Sequence, residues 1–448
     1  MARELIERSP RDEVAALVLP IIGRERRAGS RLEESAGLVE ALGVKLAFAE
    51  QVHVRDPNPA RLFGSGQLDA LLQKMTSEHV TLLIVDGALT PVQQRNLETA
   101  LRLKVVDRTG LILEIFGLRA RTAEGRLQVE MARSLYERSR LVRTWTHLER
   151  QRGGFGFLGG PGETQLEADR RMLDKRIAGF RHDLDDVRRT RKLQREGRAR
   201  RGAPVAALVG YTNSGKSTLF NRLTSSDVLA ADMPFATLDP TAREIVAASG
   251  RKIALIDTVG FITDLPTHLI AAFRATLEEA MEADILVHVR DIAHPDTESQ
   301  AEDVYGILEQ ISAETGLSRP PVIEVWNKID ILPAPARALL MTRAETHSPP
   351  VVMASALTGE GVETLLFEIE NQVFRNRRLR TVTLRASDGR ARAWLHKNCE
   401  VQSEAMAGDA DLTLLAYMSD TDVARLMAFA PDARISDQAA LTAGSDSA

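Results

Sequence analysis

The chain has 448 residues and a net charge of −4, from 58 Lys+Arg against 62 Asp+Glu. That length is too great for one core, and 44% apolar with 27% charged residues excludes a disordered or fibrous chain. A single cysteine, Cys399, and nine scattered histidines exclude an internal disulfide and a multi-Cys or multi-His metal site.

No apolar run reaches the roughly 18–20 residues of a membrane span. The N-terminal segment is charged from the start and lacks the apolar core of a secretory signal, so the expected location is cytoplasmic. Residues 1–118 alternate β-branched runs with helical patterns. Glu13 to Pro20, Lys45 to Val54, Thr81 to Gly87 and Lys104 to Arg108 read as strands. Leu32 to Gly43, Gly66 to His79 and Thr90 to Arg102 read as helices, the last with Thr90 as N-cap and Pro91 at the first helical position. Such alternation predicts a parallel α/β layer.

From about Arg121 the pattern becomes long, charged helix: Thr122 to Gln151, then Glu163 to about Arg200. In the second, Leu166, Leu173, Ile177, Phe180, Leu184 and Val187 form an a/d seam, which packs one helix against a neighbour. The Gly-rich segment Gly153 to Gly162 between them predicts an antiparallel hairpin with a loop at its tip. Its Gly154-x-Gly156-x-x-Gly159 spacing imitates a dinucleotide fingerprint, but a charged helix stands where that fingerprint needs a strand. Residues 119–201 contain 22 Lys+Arg against 12 Asp+Glu, a surplus of ten that leaves the rest of the chain at −14. A basic segment in an acidic remainder suits a polyanion partner, although a charge run is also a common solvated helix face.

The chemistry becomes specific after Pro204. Val205 to Gly210 is a buried-strand pattern, followed by Gly210, Tyr211, Thr212, Asn213, Ser214, Gly215, Lys216 and Ser217, then a helix from Thr218. This is a Walker A sequence in strand–loop–helix context. Its backbone amides and helix N-terminus cradle phosphates, Lys216 reaches the β- and γ-phosphates and Ser217 ligates Mg²⁺. Leu255 to Gly260 is a strand ending in Asp257, Thr258, Val259 and Gly260; Asp257 can hold Mg²⁺ through water, and the Gly260 amide can bond a γ-phosphate. Val322 to Asp330 ends in Asn327, Lys328 and Asp330, where the carboxylate can accept both guanine N1 and N2 hydrogens. Ser355, Ala356 and Leu357 follow another strand and offer the Ala356 amide to guanine O6. In this order the motifs select GTP and GDP over adenine nucleotides.

That order resembles the translation-factor-related GTPases. Pro234 to Arg243 lies where a switch threonine should sit: Phe235 and Ala236 precede Thr237, which matches the family position that closes on Mg²⁺ and the γ-phosphate, with Thr241 as a rival or a plain turn residue. Phe261 stands where a small signalling GTPase has the glutamine that orients water, so unaided hydrolysis should be slow. Asn213 is a candidate K⁺ ligand, or else an ordinary loop hydrogen bonder. Catalysis would rest on Lys216, Thr237, Gly260 and Asn213, and the metal on Ser217, Thr237 and Asp257.

Thr90 to Glu98, Asp107 to Glu130, Gly159 to Arg171 and the GTPase motifs together resemble one family, the HflX GTPases that associate with ribosomes, over roughly residues 10–375. The segment Leu62 to Leu71 departs from that family's usual Gly-Lys-Gly-Lys. The resemblance implies an α/β multidomain fold: an N-terminal parallel α/β domain (1–118) with a helical hairpin (119–202), a Ras-like P-loop GTPase domain (203–375) and a small α+β C-terminal domain (376–448). It implies a monomer that binds the 50S subunit, its 23S rRNA and the 70S ribosome, and splits stalled ribosomes after heat stress. The rival readings are an assembly GTPase acting on pre-ribosomal RNA and a metabolic P-loop phosphotransferase, against which the Asn327-Lys-x-Asp330 element argues.

Overall fold

The computed structural model describes residues 13–23, 28–149, 161–199, 204–224, 234–235, 241–263, 277–375, 377–407 and 411–437. The tip segment Gly153 to Gly160, Gln151, Arg200, Ala236 and Thr237 lie outside them.

The first layer is built from β1 Val14–Ile21, α1 Ala28–Ala41, β2 Lys45–His53, α2 Ser65–Ser77, β3 Leu82–Val85, α3 Pro91–Leu101 and β4 Lys104–Asp107. All strands are parallel, in the order β2-β1-β3-β4. The unbroken apolar run of β3 is buried throughout because helices cover both faces. Helix α3 starts as its sequence dictates: Thr90 Oγ1 accepts from the Gln93 amide at 3.2 Å, and Gln93 Oε1 accepts from the Thr90 amide at 2.9 Å. Helix α1 begins four residues before the expected Leu32.

Asp107 then caps a helix that periodicity did not reveal, α4 Arg108–Arg119, accepting from the Gly110 amide at 2.8 Å. The hairpin follows as α5 Ala123–Glu149 and α6 Pro161–Ala199. Pro161 and Gly162, expected in the loop, are the first residues of α6, as proline at a helix start permits. The predicted seam holds the two arms together: Ile177 and Leu184 are buried, Leu173, Phe180 and Val187 half-buried. Arg176 to Glu130 at 2.8 Å and Arg138 to Asp174 at 2.9 Å cross between the arms.

The second sheet comes from β5 Val205–Val209, α7 Lys216–Thr224, β6 Thr241–Val246, β7 Lys252–Asp257, β8 Ile285–Asp291, α8 Thr297–Thr315, β9 Val322–Asn327, α9 Ala334–Glu345, β10 Val351–Met353 and α10 Val362–Phe374. Its order is β10-β9-β8-β5-β7-β6, parallel except for β6. Thr241, expected as a turn residue if not a switch threonine, opens β6. The last sheet is antiparallel, ordered β12-β13-β11-β14, from β11 Arg377–Arg385, β12 Glu400–Ala407, β13 Asp411–Ser419 and β14 Arg434–Asp437. Helices α11 Gly389–Asn398 and α12 Asp420–Phe429 pack on it, with Leu395 and Leu426 fully buried against Val382 and Leu414.

One apolar cluster joins the first two sheets' domains. Leu111, Ile112 and Phe116 of α4 share it with Tyr211, Phe235, Val259, Phe261 and Ile262. The rings of Phe116 and Phe235 meet edge to face at 4.6 Å.

Candidate nucleotide site

The carboxyl ends of β5, β7, β9 and β10 gather the residues singled out from the sequence. The loop after β5 delivers Lys216 at the N-terminus of α7, where unpaired backbone amides and the helix dipole favour an anion. Lys216 is buried, and its Nζ donates to the Tyr211 carbonyl at 2.7 Å. Burial pushes its pKa down to about 8, partly opposed by Asp257. Ser217 Oγ donates to Asp257 Oδ2 at 2.9 Å, so an oxygen pair from α7 and the end of β7 stands beside the ammonium. Hard oxygen donors of this kind suit Mg²⁺, which keeps waters and takes its remaining ligands from phosphates. No group of three or more His, Cys, Asp or Glu side chains that could hold a metal occurs among the described residues.

Asn327 joins the loop after β5 to the loop after β10. Its Nδ2 donates to the Ser214 carbonyl at 2.7 Å, and its Oδ1 accepts from the Ala356 amide at 2.8 Å. Gly215 is required by this approach: its φ is +96°, and a Cβ there would lie 2.1 Å from Asn327 Nδ2. Lys328, at φ +66°, directs its ammonium to Asp291 Oδ2 at 2.8 Å. Asp330 is exposed on the short helical turn Ile329–Ile331, and Leu357 is exposed too. Ser355 is buried and its Oγ accepts from the Thr358 amide at 3.1 Å, shaping the loop that presents Ala356.

The Asp257-to-Gly260 strand end lies on the phosphate loop. The Thr212 amide donates to the Phe261 carbonyl at 2.7 Å, and the Phe261 amide to the Gly210 carbonyl at 3.1 Å. Four predicted residues stand differently from the rest. The Thr258 side chain is buried away from the loop, donating to the Leu208 carbonyl at 2.6 Å. Val259 is buried in the apolar cluster, and Asn213 is exposed at φ +58°. Phe235 packs into the same cluster as Val259.

Sequence reasoning missed the support behind β9. Glu324 of β9 is buried and accepts from Arg290 at 2.7 Å, Tyr305 at 2.8 Å and Trp326 at 2.9 Å. Burial alone would raise its pKa, but Arg290 and the two hydrogen bonds take it below the ordinary carboxylate value. The available signal was a carboxylate inside the apolar run Val322 to Trp326, which burial permits only with partners. His288, opposite Glu324, is fully buried, and its pKa falls to about 4, mainly through desolvation.

Three family models match the chain. One described as GTP-binding GTPase N-terminal spans residues 29–117, a GTP-binding GTPase Middle Region spans 119–198, and a 50S ribosome-binding GTPase spans 205–328. GTPase HflX of Magnetococcus marinus is 46% identical over 395 residues, 88% of this chain and 89% of that protein. GTPase HflX of Escherichia coli strain K12 is 41% identical over 395 residues, 88% of this chain and 91% of its own. A GTP-binding protein from Sulfolobus solfataricus, solved with GDP, is 26% identical with a TM-score of 0.45, covering 81% of this chain and 99% of that one. The relatives and the GTPase-domain match make the protein a GTP-hydrolysing enzyme, and the chain belongs to the HflX family of GTPases.

Proposed function

We propose that this GTPase binds the 50S subunit and the 70S ribosome in its GTP state, splits stalled ribosomes under stress such as heat, and is released after hydrolysis. In this reading Lys216 and the amides of the phosphate loop hold the phosphates, while Ser217, Thr237 and Asp257 serve Mg²⁺, Asp257 through water. Mg²⁺ bound there would neutralise charge on the phosphates. Asn327 orders the loop and the Ala356 amide, Asp330 and Lys328 select guanine, and Gly260 responds to the third phosphate. Asn213 would be the K⁺ ligand, an assignment that equal GTP turnover in Na⁺ and K⁺ buffers would remove.

One observation carries the ribosomal part: Phe235 and Thr263, which flank the nucleotide-sensing segments, touch the domain that bears the basic hairpin. Phe235 meets Phe116 of α4, and the Thr263 carbonyl accepts from Arg108 at 2.8 Å. A change at the phosphates can therefore move the hairpin against rRNA, and contact of the hairpin with 23S rRNA can reach back to the site. Phe261 has no polar side-chain atom to orient water, which supports slow hydrolysis until the ribosome supplies what is missing. Among the described residues no helix is long and apolar enough to cross a membrane, and the proposed setting is a monomer in the cytoplasm. Sucrose-gradient profiles of 70S ribosomes, with the protein and a non-hydrolysable GTP analogue, should show the 70S peak giving way to 50S and 30S. An unchanged 70S peak overturns the splitting role.

A further inference from the structure

Open parallel sheets bind ligands in the crevice at the carboxyl ends of the strands where the strand order reverses. In the N-terminal sheet that point lies between β1 and β3. Polar side chains converge beside it: Arg31, Glu34 and Ser35 from α1, Asp86 just after β3, and Arg108 at the start of α4. Arg108 is buried, donating to Asp86 Oδ1 at 2.7 Å and Ser35 Oγ at 2.8 Å, and pairing with Glu34. Part of the chain's own GTPase domain is what they hold. Glu34 Oε2 accepts from the Tyr211 hydroxyl at 2.7 Å and from the Thr263 hydroxyl at 2.8 Å, while Arg108 donates to the Thr263 carbonyl at 2.8 Å. These contacts join residues 155 to 229 positions apart.

Tyr211 belongs to the phosphate loop, and Thr263 lies three residues beyond Gly260. Between them the backbone is closed: the Thr212 amide is taken by the Phe261 carbonyl, and a Cβ on Gly260 would lie 3.0 Å from both Lys216 Nζ and Thr212 Cα. A third phosphate needs Lys216 and the loop amides for itself. If it takes them, Gly260 and Phe261 would have to give way, and Thr263, which follows Phe261 by two residues, would move with them. Two phosphates make no such demand.

We propose that Glu34 and Arg108 are positioning residues that set the preference between GDP and GTP, holding Thr263 and Tyr211 in the crevice so that the third phosphate enters only as those bonds break. The inference rests on the guanine-nucleotide reading of the site. Neither residue would touch nucleotide, and both would act through Thr263 and Tyr211.

The test is equilibrium binding of GDP and of a non-hydrolysable GTP analogue, with Mg²⁺, to the full chain and to Glu34→Gln, Thr263→Val and Thr263→Ser. Loss of a charged hydrogen bond should raise the analogue-to-GDP affinity ratio by about tenfold in Glu34→Gln and about fivefold in Thr263→Val. GDP affinity should stay within about twofold, since GDP leaves the contact intact. Thr263→Ser keeps the hydroxyl and should keep the original ratio. A ratio that does not change in Glu34→Gln and Thr263→Val overturns the proposal, as does an equal fall in both affinities, the mark of mere structural support. An unaltered chain that binds neither nucleotide would instead sink the reading of the site itself, before any variant is compared.

Discussion

At the scale of single residues, Lys216 gives the proposed phosphate site its most direct test. An ammonium that is buried, with its pKa brought to about 8, is held at a cost that an anionic ligand removes. Its folded pKa lies below the ordinary lysine value, so the folded protein sheds this proton first as pH rises, and phosphate binding must take it back. GDP affinity should therefore fall by about tenfold between pH 7 and pH 9, as the fraction of charged Lys216 falls. Calorimetry at pH 8.5 in two buffers of different ionisation enthalpy should show proton uptake on binding. A flat affinity profile over that range, with no proton uptake, would contradict the role given to Lys216. Asn327 works differently: it is neutral, and its amide spans the Ser214 carbonyl and the Ala356 amide. The motif order announced this residue, whereas the Glu324 cluster behind it was legible only as a carboxylate out of place in an apolar strand.

At the scale of elements, the turn between β6 and β7 does more than connect them. The Arg251 guanidinium lies 3.9 Å from the Phe374 ring centre at the end of α10 and 4.3 Å from that of Tyr417 on β13, with Glu370 at 3.3 Å. Stacking of a planar cation on two rings contributes about 1–2 kcal/mol, and an ammonium cannot reproduce it. Arg251→Ala should raise amide hydrogen exchange in β11 and β13 while leaving GDP affinity within about twofold, and Arg251→Lys should recover little. Unchanged exchange in both variants would mean that the stack does not hold the C-terminal sheet in place. The elements also show where sequence reading succeeds. Helix α3 was legible because Thr90 caps it with Pro91 at its first position, and the arms of the hairpin because their seam repeats over many turns. Helix α4 was not, because Leu111, Ile112, Leu113, Ile115 and Phe116 are all buried and leave only a narrow exposed strip at Glu114, Gly117 and Leu118 to give a period. Strand β12 was missed for the opposite reason: it is largely exposed, so burial imposed little alternation on it. The bonds of Glu34 to Tyr211 and Thr263 lie beyond any local pattern, since tertiary folding alone brings α1 to the phosphate loop.

At the scale of the whole molecule, the charge that nearly cancels in the total is divided by position. The hairpin segment carries a surplus of ten, against −14 for the remainder. Residues 400–448 hold nine acidic side chains, but the structure shows that they are not one reservoir. Asp420 and Asp437 pair with Arg380, Glu404 pairs with Arg392 and His396, and the Asp422 carboxylate accepts from the amide and hydroxyl of Ser419, the cap of α12. Removing those would disturb the fold of the C-terminal sheet and confuse any test of long-range charge. Among the described residues Glu400, Asp411 and Asp432 stand outside those contacts, and they are the ones whose charge can be removed with least structural effect. If the acidic remainder restrains indiscriminate binding by the basic hairpin, Glu400→Gln/Asp411→Asn/Asp432→Asn should bind non-ribosomal RNA roughly threefold more tightly at about 50 mM salt. The gain should vanish near about 300 mM, where screening shortens the reach of each charge. Conversely, replacing Arg188, Arg189, Arg191 and Lys192 by glutamine should flatten the dependence of RNA affinity on salt, since fewer phosphates are neutralised. Filter binding across a salt series measures both, and the two variants must shift affinity in opposite directions. Equal RNA affinity in the acidic variant and the unaltered chain at low salt would leave the negative remainder as a matter of solubility alone.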